Sequence, residues 1–182
     1  MTLINDLKNT CKNIKGTLLS IGLSYPTVES VIDKNNNITE GYLLVFDGKK
    51  KSKVKDKDGK NFKRKRFSIK KLRKTFKKKS VDTIILNYDD AKKYMRFFVK
   101  DSVYINRGKL YIYGKKEAYV VEDIESYYNR YDTKIEITEY DDQFLIEIDN
   151  SSAKNNWFKD KVYRIKDAIS YYINAIGDIL IG

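Results

Sequence analysis

Two groups of residues in this 182-residue chain are of types that do chemistry. The first is Asn87-Tyr88-Asp89-Asp90, a polar cluster that closes the apolar run Thr83-Ile84-Ile85-Leu86. A polar cluster at the carboxyl end of a buried strand sits where open α/β sheets place ligands. The same residue types also start helices, so capping is the competing reading for Asn87, Asp89 and Asp90. The second group is the segment from Lys49 to Lys79, which holds 18 Lys/Arg against Asp56 and Asp58, a net of +16. Such a run repels itself unless partnered. Lysines that reach phosphates displace counterions, so the chemistry expected here is salt-sensitive, sequence-independent contact with DNA or RNA. The candidate contacts are Lys49, Lys50, Lys51, Lys53, Lys63, Arg64, Lys65 and Arg66. An acidic protein partner and a solvated loop are the other readings of this run. Phe62, Phe67 and Phe76 are interspersed and could stack on bases, although Phe67 and Phe76 also suit a core.

Several chemistries are excluded. With no His, the chain has no His-based triad and no His metal site. A single Cys, Cys11, rules out an internal disulfide and a Cys-rich zinc site, and suits a reducing, cytoplasmic setting. No P-loop occurs. Asp141-Asp142 falls in an expected turn, and no metal is expected there. No run of 18 apolar residues and no signal-peptide pattern is present, so no membrane association is expected.

The elements that must position these groups follow from periodicity. Ala91, Met95, Phe98, Val99 and Val103 recur at helical spacing between the run ending at Leu86 and a second strand, Lys109 to Tyr113. This strand–helix–strand unit is a parallel crossover, which places its two strands side by side in one sheet. Upstream, Leu3, Leu7, Cys11 and Ile14 mark an amphipathic helix, and residues 17–21 a strand ending at Gly22. A helix beginning near Pro26 and a strand over residues 41–46, closed by Asp47-Gly48, come next. Residues 49–66 read as a basic insertion, either flexible loop or β-ribbon turning at Asp58-Gly59. Residues 66–69 are expected as a short strand, with Ser68 capping a helix through Phe76. Residues 118–131 read as a helix, and residues 134–138 and 144–148 as an antiparallel pair. Residues 154–182 form a last amphipathic helix. Its apolar stripe is expected to pack on the sheet, with a homodimer or partner-subunit interface as the alternative. The segment from Glu117 to Asp149 carries a net of −9, so the molecule is strongly dipolar if it lies apart from the basic run.

The expected fold is thus α/β: a single Rossmann-like three-layer domain over residues 1–182, its mostly parallel sheet closed by a C-terminal antiparallel pair, with N- and C-terminal helices. This order resembles the class I S-adenosylmethionine-dependent methyltransferase fold. The resemblance is carried by Ser20-Ile21-Gly22, Phe46-Asp47, the run Val81 to Asn87 and the run Asn106 to Tyr113, and it covers roughly residues 16 to 150. It implies S-adenosylmethionine as cofactor, with Gly22 and Ser24 in the loop where the backbone approaches it. It also implies Asp47 on the ribose hydroxyls, and Asn87 beside the methyl-accepting group in the catalytic position. The glycine loop is eroded, with one glycine where the family usually has two or three. Gly22 as a simple strand-ending turn, and Asp47-Gly48 as a turn, remain the competing readings. Two functions follow. One is a methyltransferase-like protein acting on DNA or RNA. The other is a non-enzymatic binder of nucleic acid or a nucleoprotein complex, such as an accessory or inhibitor protein of a phage, virus or mobile element.

Overall fold

The computed structural model describes residues 3–11, 14–22, 37–44, 54–55, 61–64, 69, 72–153, 162, 165 and 169. Eight strands form one sheet: β1 (Lys15–Ile21), β2 (Asn37–Leu44), β3 (Val54–Lys55), β4 (Asn61–Arg64), β5 (Val81–Asn87), β6 (Asn106–Lys115), β7 (Lys134–Glu139) and β8 (Gln143–Asp149). Their spatial order is β3-β4-β2-β1-β5-β6-β8-β7. β4, β2, β1, β5 and β6 run parallel; β8 and β7 turn back antiparallel at one border, and β3 at the other. The helices are α1 (Leu3–Thr10), α2 (Leu72–Thr75), α3 (Tyr88–Ala91), α4 (Met95–Ile105) and α5 (Val120–Asn129). A 3-10 turn, Lys92–Tyr94, joins α3 to α4.

β5 lies mid-sheet between β1 and β6, as an apolar run buried on both faces requires. Alternate residues of the central strands feed two cores. Leu19, Ile21, Ile84, Leu86, Leu110 and Ile112 pack with Phe98, Val99, Ile124 and Tyr128 of α4 and α5. Leu18, Leu43, Ile85, Tyr111 and Leu145 face the other way, against Leu3 and Leu7 of α1. Cys11 is fully buried in this second core, and burial pushes its thiol up to about 12.

The third parallel strand is β4, inside the basic insertion; of the short strand expected at residues 66–69 the structure describes Ile69 alone. Ile69 lies in a 3-10 turn, and Phe67 and Ser68 are outside the described residues. Ile69 is better used as a core plug beside Leu72 and Phe76 than as a strand end. The described residues of the insertion form a short antiparallel ribbon: Val54 pairs with Phe62, and Lys55 with Asn61. In the last helix, Val162, Ile165 and Ile169 are helical but 38%, 53% and 53% exposed, so at these positions the stripe does not pack on the sheet. The rest of that helix, and the helix expected after Pro26, lie outside the described residues.

Strand alignment is set at the amino edge by Asp82. Its carboxylate accepts from the Thr17 N–H of β1 at 2.8 Å and from the Arg107 guanidinium of β6, whose terminal nitrogen is 3.0 Å away. One side chain therefore ties three adjacent strands together, beside irregularities at Gly16/Thr17 and Val81/Thr83. Gly16 has φ +75°, and a Cβ there would collide with the Asp82 carboxylate. Next to it, the buried Asn106 amide donates to the Val81 and Asp82 carbonyls at 3.1 Å each, and its Oδ1 accepts from Asn150 at 3.0 Å. Lys79 Nζ donates to the Asn106 and Asn150 carbonyls at 3.0 Å each. The bonds from Arg107, together with the Thr17 N–H, hold the Asp82 carboxyl below its ordinary value against the opposing pull of desolvation. A depressed pKa in the folded state means that its contribution is full above the unfolded carboxyl value and is lost as pH falls through the folded one. Asp82→Asn should lower stability at pH 7 by about 1–2 kcal/mol. It should also flatten the loss of stability below about pH 4. Denaturant melts across pH 2–7 check both.

Candidate functional site

The site is built where β1 and β5 end side by side. Ile21 pairs with Leu86, so the two chains leave the sheet level with each other and their next residues meet. Gly22 turns away with φ +79°, its N–H donating to the Leu44 carbonyl of β2 at 2.9 Å. That conformation is in the left-handed region, which glycine adopts without a Cβ clash. A Cβ here would stand 3.0 Å from the Asp90 Cβ and Oδ2 and 3.1 Å from the Asn87 Cβ. Gly22, Asn87 and Asp90 are thus in contact at the carboxyl edge of the sheet.

Asn87 is half-buried at the tip of β5 and caps α3: its side-chain oxygen accepts the Asp89 N–H at 3.1 Å. Its amide N–H₂ is the part that faces a ligand chemically, since the oxygen is already engaged. Capping and site membership, set against each other in the sequence, coexist in this residue. Asp89 accepts the Lys115 N–H at 3.3 Å, tying α3 to the end of β6. Asp90 is raised above the ordinary carboxylate range by desolvation first and the neighbouring Asp89 second. Across β6, Tyr113 pairs with Asn87 and lies on the same face; burial chiefly, then Asp90 and Asp89, push its phenol up. Tyr88 turns to the other side and meets Phe144 edge-on at 5.7 Å. On the Tyr88 side, Lys92 and Glu117 form an ion pair at 3.0 Å.

Asp90 was read in the sequence as part of the polar cluster and as a helix start, whereas Tyr113, level with Asn87, and Ser20, two residues before Gly22, were given no site role there. Ser20 is buried on the face it shares with Ile85, and its hydroxyl has no hydrogen-bond partner among the described residues. A lone hydroxyl inside Leu18-Leu19-Ser20-Ile21 was the available signal. For Asp90 the sequence offered only the cluster it sits in, because its contact is with Gly22, 68 positions earlier in the chain. Ser24 and Asp47 lie outside the described residues, as do Lys49, Lys50, Lys51, Lys53, Lys65 and Arg66. Lys63 and Arg64 are placed on β4, three strands from β5. Two cations late in the basic run serve the fold instead. Arg73 pairs with Asp101 at 2.8 Å and stacks on Tyr104 at 4.6 Å, and Lys79 is the amino-edge donor described above.

The corner offers a small polar ligand one amide donor, Asn87 N–H₂, and one carboxylate acceptor, Asp90, beside a glycine turn. Among the described residues no group of three His, Cys, Asp or Glu converges to hold a metal, and no helix is long and apolar enough to cross a membrane. Gly22→Ala should cost about 1–2 kcal/mol from the left-handed backbone alone. A thermal melt, with Gly114→Ala as a second close-approach control against Tyr88, reads this directly.

No protein-family model and no curated protein sequence matches the chain. Solved structures do. YcgJ from Bacillus subtilis superposes with a TM-score of 0.57 at 11% identity, over 80% of this chain and 97% of that one. TrmK from M. capricolum, in complex with S-adenosyl-homocysteine, matches with a TM-score of 0.55 at 11% identity, over 86% and 71%. The 16S rRNA methyltransferase RsmC from T. thermophilus, in complex with AdoMet and guanosine, matches with a TM-score of 0.51 at 9% identity, over 85% of this chain but 40% of that one. With the strand order and the crossover at β5 already in place, these likenesses identify the architecture: the chain has the class I S-adenosylmethionine-dependent methyltransferase fold.

Proposed function

We propose that the chain is a methyltransferase-like protein that binds S-adenosylmethionine and contacts DNA or RNA through its lysine-rich ribbon. The observation that carries this reading is the meeting of Gly22, Asn87 and Asp90 at the carboxyl ends of β1 and β5. On this fold TrmK holds the cofactor product, and RsmC holds AdoMet with guanosine. The cofactor, when bound, supplies an electrophilic methyl group. Gly22 and Ser24 would border it, Asp47 would take its ribose hydroxyls, and Asn87 would orient the accepting nitrogen or oxygen. The work of such a site is positioning, since a correctly held acceptor needs little further activation. The ribbon's role is electrostatic: Lys49, Lys50, Lys51, Lys53, Lys63, Arg64, Lys65 and Arg66 would bind phosphates irrespective of sequence.

One observation favours a second reading, a non-enzymatic nucleic-acid or nucleoprotein binder on the same fold. The space left by the missing Gly22 side chain is taken by the chain's own Asp90 and Asn87, not left open. Calorimetry separates the two. The enzyme reading expects a saturable heat with S-adenosylmethionine, and no heat at about 1 mM cofactor leaves the binder. Asn87→Asp keeps an acceptor for the Asp89 N–H but removes the amide donor. It should preserve the melting temperature while lowering methyl transfer to bulk DNA or RNA on the order of 100-fold.

The ribbon is tested separately. Log affinity for DNA or RNA should fall linearly with log salt, and the quadruple Lys63, Arg64, Lys65 and Arg66 to Ala variant should show a slope smaller by about 2–4. A slope unchanged by those four substitutions would sink the contact surface while leaving the cofactor site standing.

A further inference from the structure

We propose that the chain associates head-to-tail with copies of itself, the basic ribbon of one molecule docking on the acidic β7 border of the next. This inference is independent of the methyl-transfer reading. The sheet order puts the ribbon, β3 and β4, at one border and β7 at the other. Lys55, Lys63 and Arg64 lie on the ribbon strands, within the segment of net +16. At the far border, Glu136, Glu139, Asp141 and Asp142 are all exposed, within the segment of net −9. Glu139 is engaged by Lys116, whereas Glu136, Asp141 and Asp142 make no ion pair among the described residues.

Within one molecule these charges cannot neutralise each other. Seven strand spacings separate β3 from β7, about 34 Å at roughly 4.8 Å each. That exceeds the screening length of about 10 Å at 0.1 M salt. A second copy can bring them into contact. β7 also offers the backbone edge for it: no further strand pairs with β7 among the described residues, and every residue but Ile135 is exposed, including Ile137. Such an edge accepts an added extended segment. Charge then decides which one. Two β7 borders would set Glu136 and Glu139 against their own kind, and two ribbons would oppose lysines, so only the unlike pairing is attractive. A heterologous contact of this sort repeats from copy to copy, into a ring or an open filament, and the assembly grows with concentration. Nucleic acid competes for the same ribbon, so a polyanion should dissolve it.

Sedimentation of nuclease-treated protein tests the proposal. The average mass should rise with concentration at about 50 mM salt and return to the monomer at about 500 mM. Glu136→Lys with Asp141→Lys, and separately Lys55→Glu with Lys63→Glu, should each remain monomeric at low salt. An equimolar mixture of the two variants should recover the association, because each supplies the border that the other lacks. A monomer at every salt concentration would overturn the proposal, as would association that persists in either variant alone or fails to return on mixing.

Discussion

The constraint on which the rest depends is that β1 and β5 run parallel and end level. Parallel neighbours have no turn between them to set their alignment; it has to be imposed by side chains and by the register of alternating core residues. Here Asp82 imposes it at the amino edge, holding the Thr17 N–H of β1 and the Arg107 guanidinium of β6 in a single carboxylate. From that anchor the two strands run side by side to Ile21 and Leu86. One residue of slippage would turn Ser20 and Ile85 to the opposite core and separate Gly22 from Asn87 and Asp90. The candidate site is therefore assembled from the far end of the sheet.

Much of this was legible in the sequence because the signals were local. The run Thr83 to Leu86 bounded by a polar cluster, the helical spacing of Met95, Phe98, Val99 and Val103, and the alternation around Tyr140-Asp141-Asp142 each report on adjacent residues, and each element stands where expected. The misassignments come from places where tertiary context decides. Residues 61–64, in the insertion that reads as either loop or β-ribbon, have too few apolar residues to decide between the two, and β2 settles it by backbone pairing, which is blind to side-chain type. Nothing local in the sequence marks Asp82, although its carboxylate ties three strands together. The stripe at Val162, Ile165 and Ile169 has the periodicity of a buried helix, but periodicity says only that one side is apolar and not what covers it.

The site and the charge are separated in the molecule in a way that the chain order conceals. Asn87 and Asp90 lie near the middle of the sheet, whereas Lys63 and Arg64 lie on β4, toward one border. The corner around Gly22 is itself acidic, with Asp89 and Asp90 side by side and Asp90 raised above the ordinary carboxylate range by desolvation and by Asp89. On the proposed reading, attraction of a polyanion and close handling of a small polar group would fall to different parts of the molecule. Neither can be inferred from the net charge of the whole chain.

The fully buried Cys11 has a consequence of its own. A thiol whose pKa is pushed to about 12 contributes almost no thiolate at neutral pH, and it is sealed beneath α1 with Leu3 and Leu7. An alkylating reagent can reach it only when the N-terminal helix lifts off the sheet. As the chain's sole cysteine, it makes the rate of its own modification a measure of how often that first helix undocks, with no label to be introduced.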